Sequence, residues 1–294
     1  MTYCVGILIK GGLVLAADSR SNAGVDHIAT VRKLNVFERT GEGVMVLLSA
    51  GNLATTQAVV TLLTQRLGDE PGPTNLFAAR TMFDAARMVG AVLREVMAHD
   101  GEHVRPEGDP SATFLFGGQL RGERHRLFLI SPAGNFIEAT PETPFLQAGE
   151  TKYGKPILDR VITDDASLAE AAKCALLSFD ATMRSNLSVA PPIDLLCYRE
   201  GSLRAEIRID IAEDDAYFGT LRADYSRGIF ELFKRLPGAR LARAGRCRRQ
   251  LTCRADLHAG CEQGLPFSST ARRGCRVLRT ERRNRLFLAR SPAG

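Results

Sequence analysis

The chain of 294 residues is 45 % hydrophobic and 24 % charged, the balance of a globular protein that buries its own core, which excludes a fibrous or wholly unfolded chain. No apolar run reaches the roughly 18 to 20 residues of a membrane helix, and Met1-Thr2-Tyr3-Cys4 lacks the basic-then-apolar order of a signal peptide, so a cytoplasmic protein without a membrane partner is expected. The formal net charge of +6 is unevenly spread: residues 241–294 hold 13 arginines, no lysine and three acids, leaving 26 basic against 30 acidic groups in residues 1–240.

The sequence thus divides into a mildly acidic domain, 1–240, and an Arg/Cys-rich tail, 241–294. The tail has no periodic apolar face and is expected to lack ordered structure; a nucleic-acid arm is the other reading, and it applies to the tail alone. Cys247, Cys253, Cys261 and Cys275 are separated by five, seven and thirteen residues, and His258 lies among them. Without a CxxC pair that spacing does not point to zinc, and no metal or cofactor is expected.

Val5 to Ile9 and Leu13 to Ala17 are continuous apolar runs joined by Lys10-Gly11-Gly12, the signature of a β-hairpin buried on both faces. A second hairpin is expected from Leu34 to Glu38 and Val44 to Leu48, ending in Ser49-Ala50-Gly51. Helical spacing follows over Leu53 to Leu67. After a turn from Gly68 to Pro73, a longer helix capped by Thr74 or Asn75 is expected to run to about Ala98. A loop covers His99 to Pro110. Strands are then expected at Thr113 to Phe116, Leu127 to Ile130 and Phe136 to Ala139, helices at Gly154 to Arg160 and Ser167 to Arg184, strands at Ile193 to Tyr198 and Arg204 to Ile209, and a last helix from Asp214 to Leu236. Strands and helices in separate runs indicate an α+β fold with two sheets faced by helix pairs.

Removal of Met1 would leave Thr2 at the amino terminus with its own base. A free α-amine, with a reference pKa of about 7.7 to 8.0, takes the hydroxyl proton directly or through one water. A neighbouring lysine disfavours the ammonium form and keeps that amine available.

Three opening segments, Thr2-Tyr3-Cys4-Val5-Gly6, Gly12-Leu13-Val14-Leu15-Ala16-Ala17-Asp18-Ser19-Arg20 and Arg32-Lys33-Leu34, resemble the start of a proteasome β subunit or of its bacterial relative HslV. Phe114 to Gln119, Ala133 to Thr140, Gly149 to Arg160 and Met183 to Val189 are similar to the bacterial Anbu branch of the proteasome-type, N-terminal nucleophile hydrolases. The resemblance spans about residues 2 to 236. It implies the four-layer αββα sandwich of that class, with Thr2 as nucleophile, Asp18 orienting Lys33, and Lys33 tuning the terminal amine. The Asp18 and Lys33 pair is expected to act on rate more than on stability.

The resemblance also places Gly51 where a backbone N–H faces the oxyanion, an ordinary turn being the other reading. It calls for an Asp and a Ser that support the terminal amine, and here the pattern departs, because Arg184-Ser185-Asn186-Leu187-Ser188 replaces Asp-x-x-Ser-Gly. Ser185, Ser188 and Asp180 are the candidates. Cys4 is expected to be a buried strand thiol. Val31, Ser49 and Leu53 are expected to line a pocket for small or apolar side chains.

The implied activity is threonine-type peptide hydrolysis of peptides or unfolded protein within a homo-oligomeric ring or open helical ring. An amidase or transferase acting on a specialised peptide, and a catalytically silent ring-forming subunit, are the alternatives. No phosphate loop is present, so no nucleotide is expected.

Overall fold

The computed structural model describes residues 2–22, 28–67 and 75–239. The expectations for Met1, for the turn from Gly68 to Pro73, for Thr74 and for the tail with its four cysteines and His258 lie outside these residues.

The opening hairpin consists of β1 (Tyr3–Ile9) and β2 (Gly12–Asp18), antiparallel, with Val5 opposite Ala16. Successive side chains of a strand point to opposite faces, and here each face has its own core. Tyr3, Val5, Ile7, Val14 and Ala16 enter one apolar cluster, while Cys4, Leu13, Leu15 and Ala17 enter another. A short ribbon of β3 (Arg20–Asn22) and β4 (Ile28–Thr30) follows. The second expected hairpin is β5 (Leu34–Arg39) with β6 (Gly43–Gly51).

Helix α1 (Leu53–Gln65) starts behind Asn52, whose side chain accepts from the N–H of Thr55. The single long helix expected from residue 75 is interrupted. Asn75 caps only a 3-10 turn, Leu76–Ala78; Ala79 is extended, and α2 (Met82–Val104) begins anew behind Thr81, whose hydroxyl accepts from the N–H of Asp84. A second N-cap three residues before an acid outweighs the apolar periodicity that runs across the break. Helix α2 also continues past Ala98 to Val104, through the segment expected to be loop, because extending a formed helix needs no new nucleus.

Strands β7 (Ala112–Leu120), β8 (Arg126–Ile130) and β9 (Phe136–Glu138) form a meander. Strand β10 (Phe145–Gly149) was not among the expected elements. Helices α3 (Lys155–Val161) and α4 (Leu168–Ser185) come next, α4 with a full capping box between Ser167 and Glu170. Strands β11 (Ile193–Arg199) and β12 (Ile207–Ile211) and helix α5 (Ala216–Arg235) complete the described chain. Strand β12 begins three residues later than expected, because the connection turns through Leu203 at a φ of 49°.

One five-stranded antiparallel sheet has the order β10-β1-β2-β11-β12 and the other β5-β6-β7-β8-β9. Between them Leu13, Leu15 and Leu196 share a buried cluster with Val46, Leu115 and Leu127. The far face of the first sheet packs on Leu158, Ala175 and Phe179 of α3 and α4. That of the second, through Met45, Leu47, Phe114 and Phe116, packs on α1 and α2. The fold is therefore mixed α/β, with two antiparallel sheets and five helices among the described residues. None of these helices is long and apolar enough to cross a membrane.

Candidate active site

Strand β1 is flanked by β10 and β2, so its first residues are held on both sides. Opposite Tyr3 stands Gly149, and the carbonyl of Thr2 accepts a 2.8 Å hydrogen bond from the N–H of Glu150. The N–H of Tyr3 donates to Asp18 Oδ1 at 2.8 Å, while Asp18 Oδ2 meets Lys33 Nζ at 2.8 Å. Lys33 Nζ also donates to the carbonyl of Arg20 at 2.6 Å. The lysine is thus aimed by one carboxylate and one carbonyl. Burial pushes the Asp18 carboxyl above its usual range, opposed by the charge and hydrogen bond of Lys33 and by the N–H of Tyr3.

The segment carrying Lys33 is fixed from behind. Val31 N–H donates to the Ser19 carbonyl at 2.7 Å, and Ser19 Oγ donates to Asp194 on β11 at 2.6 Å. Arg32 pairs with Asp194 at 3.4 Å and with Asp210 on β12 at 2.8 Å. From the other sheet, Ser49 N–H donates to the carbonyl of Lys33 at 3.1 Å, and the Cys4 thiol reaches the Ser49 carbonyl at 3.5 Å. The site therefore lies at the seam between the sheets.

A cavity of about 350 Å³ opens there, and Thr2, Lys33 and Gly51 all line it. Gly51 ends β6 at a φ of 114°, and a Cβ in its place would collide with the carbonyl of Ser111. Only glycine fits this close approach, so the Gly51 main chain stays bare at the cavity wall. Val31, Ser49 and Leu53 line the same cavity, together with Asn35, Thr56, Gln57 and Thr61. The wall is more polar than the first three alone suggest.

The serines expected to support the terminal amine are not in this lining. Ser185 is exposed at the last turn of α4, and Ser188 is half-buried with its N–H on Asn186 Oδ1. Asp180, 2 % exposed, is bound by Arg184 and by Arg222 of α5 at 2.6 Å. What reaches the Thr2 main chain is Glu150. Its carboxylate is buried and accepts from Asn186 Nδ2 at 3.2 Å. The sequence signal for Glu150 was the short run Phe145 to Gly149 after Pro144, a strand ending in glycine beside β1. Cys4 is a fully buried free thiol, its pKa raised by burial, and Cys174 and Cys197 are buried and free as well. No cluster of three or more potential metal ligands occurs among the described residues.

Paired antiparallel sheets carrying Thr2, Asp18 and Lys33 at their seam define a protein related to the proteasome. The chain is similar to the Anbu (ancestral beta-subunit) protein from Yersinia bercovieri, with 47 % identity, a TM-score of 0.77, and 81 % of this chain and 99 % of the other covered. The Anbu (Gly-1) mutant from Hyphomicrobium sp. strain MC1 matches with 50 % identity, a TM-score of 0.76 and the same coverage. An Anbu complex from Pseudomonas aeruginosa, described as a helical assembly, matches at 48 % identity and a TM-score of 0.77, over 82 % of this chain and 99 % of that one. The chain belongs to the Anbu family. No protein-family model and no curated protein matches it.

Proposed function

We propose that the chain is a threonine-type peptidase whose nucleophile is Thr2 after removal of Met1. The observation that carries this reading is the fixed ammonium of Lys33, held between Asp18 and the Arg20 carbonyl in the cavity that Thr2 lines. The Thr2 hydroxyl attacks the scissile carbonyl carbon as its proton passes to the free terminal amine. The proton then moves to the leaving nitrogen as the C–N bond breaks, leaving an ester on Thr2. Water, giving its proton to the same amine, cleaves that ester and restores the hydroxyl. Lys33 disfavours protonation of the amine, and the main chain at Gly51 faces the developing oxyanion; one such donor is worth about 3 kcal/mol.

The three apolar clusters, one between the sheets and one under each outer helix layer, support the four-layer αββα sandwich. The helical assembly of the Pseudomonas aeruginosa relative supports a homo-oligomeric ring or open helix, which would admit peptides or unfolded chains and keep folded proteins away from Thr2. The proposed compartment is the cytoplasm.

The test is intact mass and terminal sequencing of the purified full chain, before and after a peptide epoxyketone. The mature protein should begin at Thr2 and gain the mass of one inhibitor. Thr2→Ala should assemble without turnover, and Thr2→Ser should retain part of the activity. Turnover by Thr2→Ala, or by protein that keeps Met1, would sink the mechanism and leave a different hydrolase or a silent ring subunit.

A further inference from the structure

The cavity beside Thr2 has a chemical character of its own. One face of α1 forms a wall, with Leu53, Thr56, Gln57, Val60 and Thr61 spaced so that all five point the same way. Three of those five are polar, and Asn35 adds a carboxamide from β5. Thr56 Oγ1 is committed to the Leu53 carbonyl at 2.9 Å, whereas the side chains of Asn35, Gln57 and Thr61 make no hydrogen bond to another described residue. They offer a ligand both donors and acceptors.

The charges in the cavity are already balanced. Arg32 and Lys33 are the ionised groups in the lining, and no Asp or Glu stands among them. Lys33 is met by Asp18, and Arg32 by Asp194 and Asp210. A bound cation would find two cations and no free carboxylate on the wall. A bound anion would compete with carboxylates already seated on those cations. A purely apolar side chain would take the solvent from two carboxamides and a hydroxyl without replacing its hydrogen bonds, the situation in which polar sites discriminate most strongly.

We propose that this pocket selects a neutral, hydrogen-bonding side chain, that of glutamine or asparagine, on the acyl side of the scissile amide, with Asn35, Gln57 and Thr61 as the residues that set the preference. The assignment rests on the reading of Thr2 as the nucleophile, which makes the adjoining cavity the seat of the acyl side chain. A volume of about 350 Å³ lies at the small end of ligand pockets and leaves ample room for a side chain of this size.

The Thr2→Ala full chain separates this from catalysis, because it has no nucleophile. N-acetyl tripeptides that differ only in a carboxy-terminal Gln, Leu, Glu or Arg would be titrated calorimetrically. Gln should bind at least tenfold more tightly than Arg and about fivefold more tightly than Leu or Glu. Adding Gln57→Leu and Thr61→Val, both on the exposed side of α1, should reverse the order of Gln and Leu at an unchanged melting temperature. Equal binding of all four peptides, a preference for Leu or Arg, no binding at millimolar peptide, or a ranking that survives the double substitution would overturn the proposal. A wild-type protein that forms no epoxyketone adduct while the Thr2→Ala ranking holds would remove the catalytic reading and leave the pocket preference standing.

Discussion

Lys33 and Asp18 form an ion pair at 2.8 Å in which the carboxylate side chain is wholly buried and the lysine side chain is 7 % exposed. The sequence suggested a pair that acts on rate more than on stability; its burial couples the two. Removing one partner of a buried pair costs about 3 to 5 kcal/mol, whereas removing both is often close to neutral. Asp18→Asn and Lys33→Met should each lower turnover at least tenfold, roughly 1.4 kcal/mol of barrier, and Lys33→Met, which leaves the buried carboxylate unpaired, should also lower the urea midpoint. The double variant should recover most of the stability and none of the turnover. Normal turnover in either single variant would make the pair structural only.

The raised carboxyl of Asp18 contributes a pH dependence of its own. Because burial lifts its native pKa above that of the unfolded chain, the native state holds this proton more tightly. Its contribution to stability is full below the unfolded value and declines as pH rises through the native one. On the proposed mechanism activity runs the other way, since only the carboxylate would aim Lys33. The acid limb of kcat/KM should therefore carry two groups, the terminal amine that must be unprotonated and the raised Asp18 carboxyl, and Asp18→Asn should lose the carboxyl's part of that limb together with the corresponding slope of unfolding free energy.

Gly51 tests the proposed oxyanion contact. Gly51→Ala must either leave the φ of 114° or push against the Ser111 carbonyl, a backbone strain of about 1 to 3 kcal/mol. Differential scanning calorimetry should show a lower melting temperature, and kcat should fall at least tenfold with little change in KM. A drop in melting temperature at unaltered kcat would make Gly51 a turn residue alone.

Asp180 separates support of Thr2 from support of the last helix. Its two arginine partners tie α4 to α5, and charge-assisted hydrogen bonds of this kind are worth about 2 kcal/mol. Asp180→Ala should lower stability by about that amount while Thr2 still takes one epoxyketone per chain. Loss of the adduct in a folded Asp180→Ala protein would make Asp180 a support of Thr2.

The arginine-rich tail should be dispensable for folding. Its apolar residues show no helical or strand period over which to offset an ordering cost of about 1 to 2 kcal/mol per residue. A stop after Arg240 should leave the melting temperature and the sedimentation coefficient of the assembly consistent with mass loss alone; unfolding or dissociation would contradict it.

The elements that could be read from sequence are those whose pattern is local. Val5 to Ile9 and Leu13 to Ala17 are apolar without interruption because each strand faces two cores, and that is visible without any partner. The break before Met82 was missed because the periodicity of α2 extends backward over residues that a second cap makes non-helical. Strand β10 was missed because it is five residues long and identifiable mainly by its pairing with β1. Thr2, Asp18 and Lys33 were singled out because a family resemblance carries them. Glu150 and Asn186 stand outside the catalytic set that the resemblance carries, and what joins them to each other is a hydrogen bond across 36 residues of sequence. The polarity of the cavity was missed for a similar reason: it comes from a face of α1 that reads as surface until the neighbouring sheet turns it into a wall.

Gly149 stands opposite Tyr3 with no room for a side chain against the Thr2 carbonyl, and Glu150 closes the other side of that carbonyl with its N–H. Each of these constraints comes from residues far along the chain, and none depends on what precedes Thr2. The main chain of the proposed nucleophile is therefore held once β1 pairs with β10. On the proposed mechanism, cutting the Met1–Thr2 bond unmasks the amine of a residue whose carbonyl is already held, so the delay between folding and first turnover would be the time one aminopeptidase cut takes.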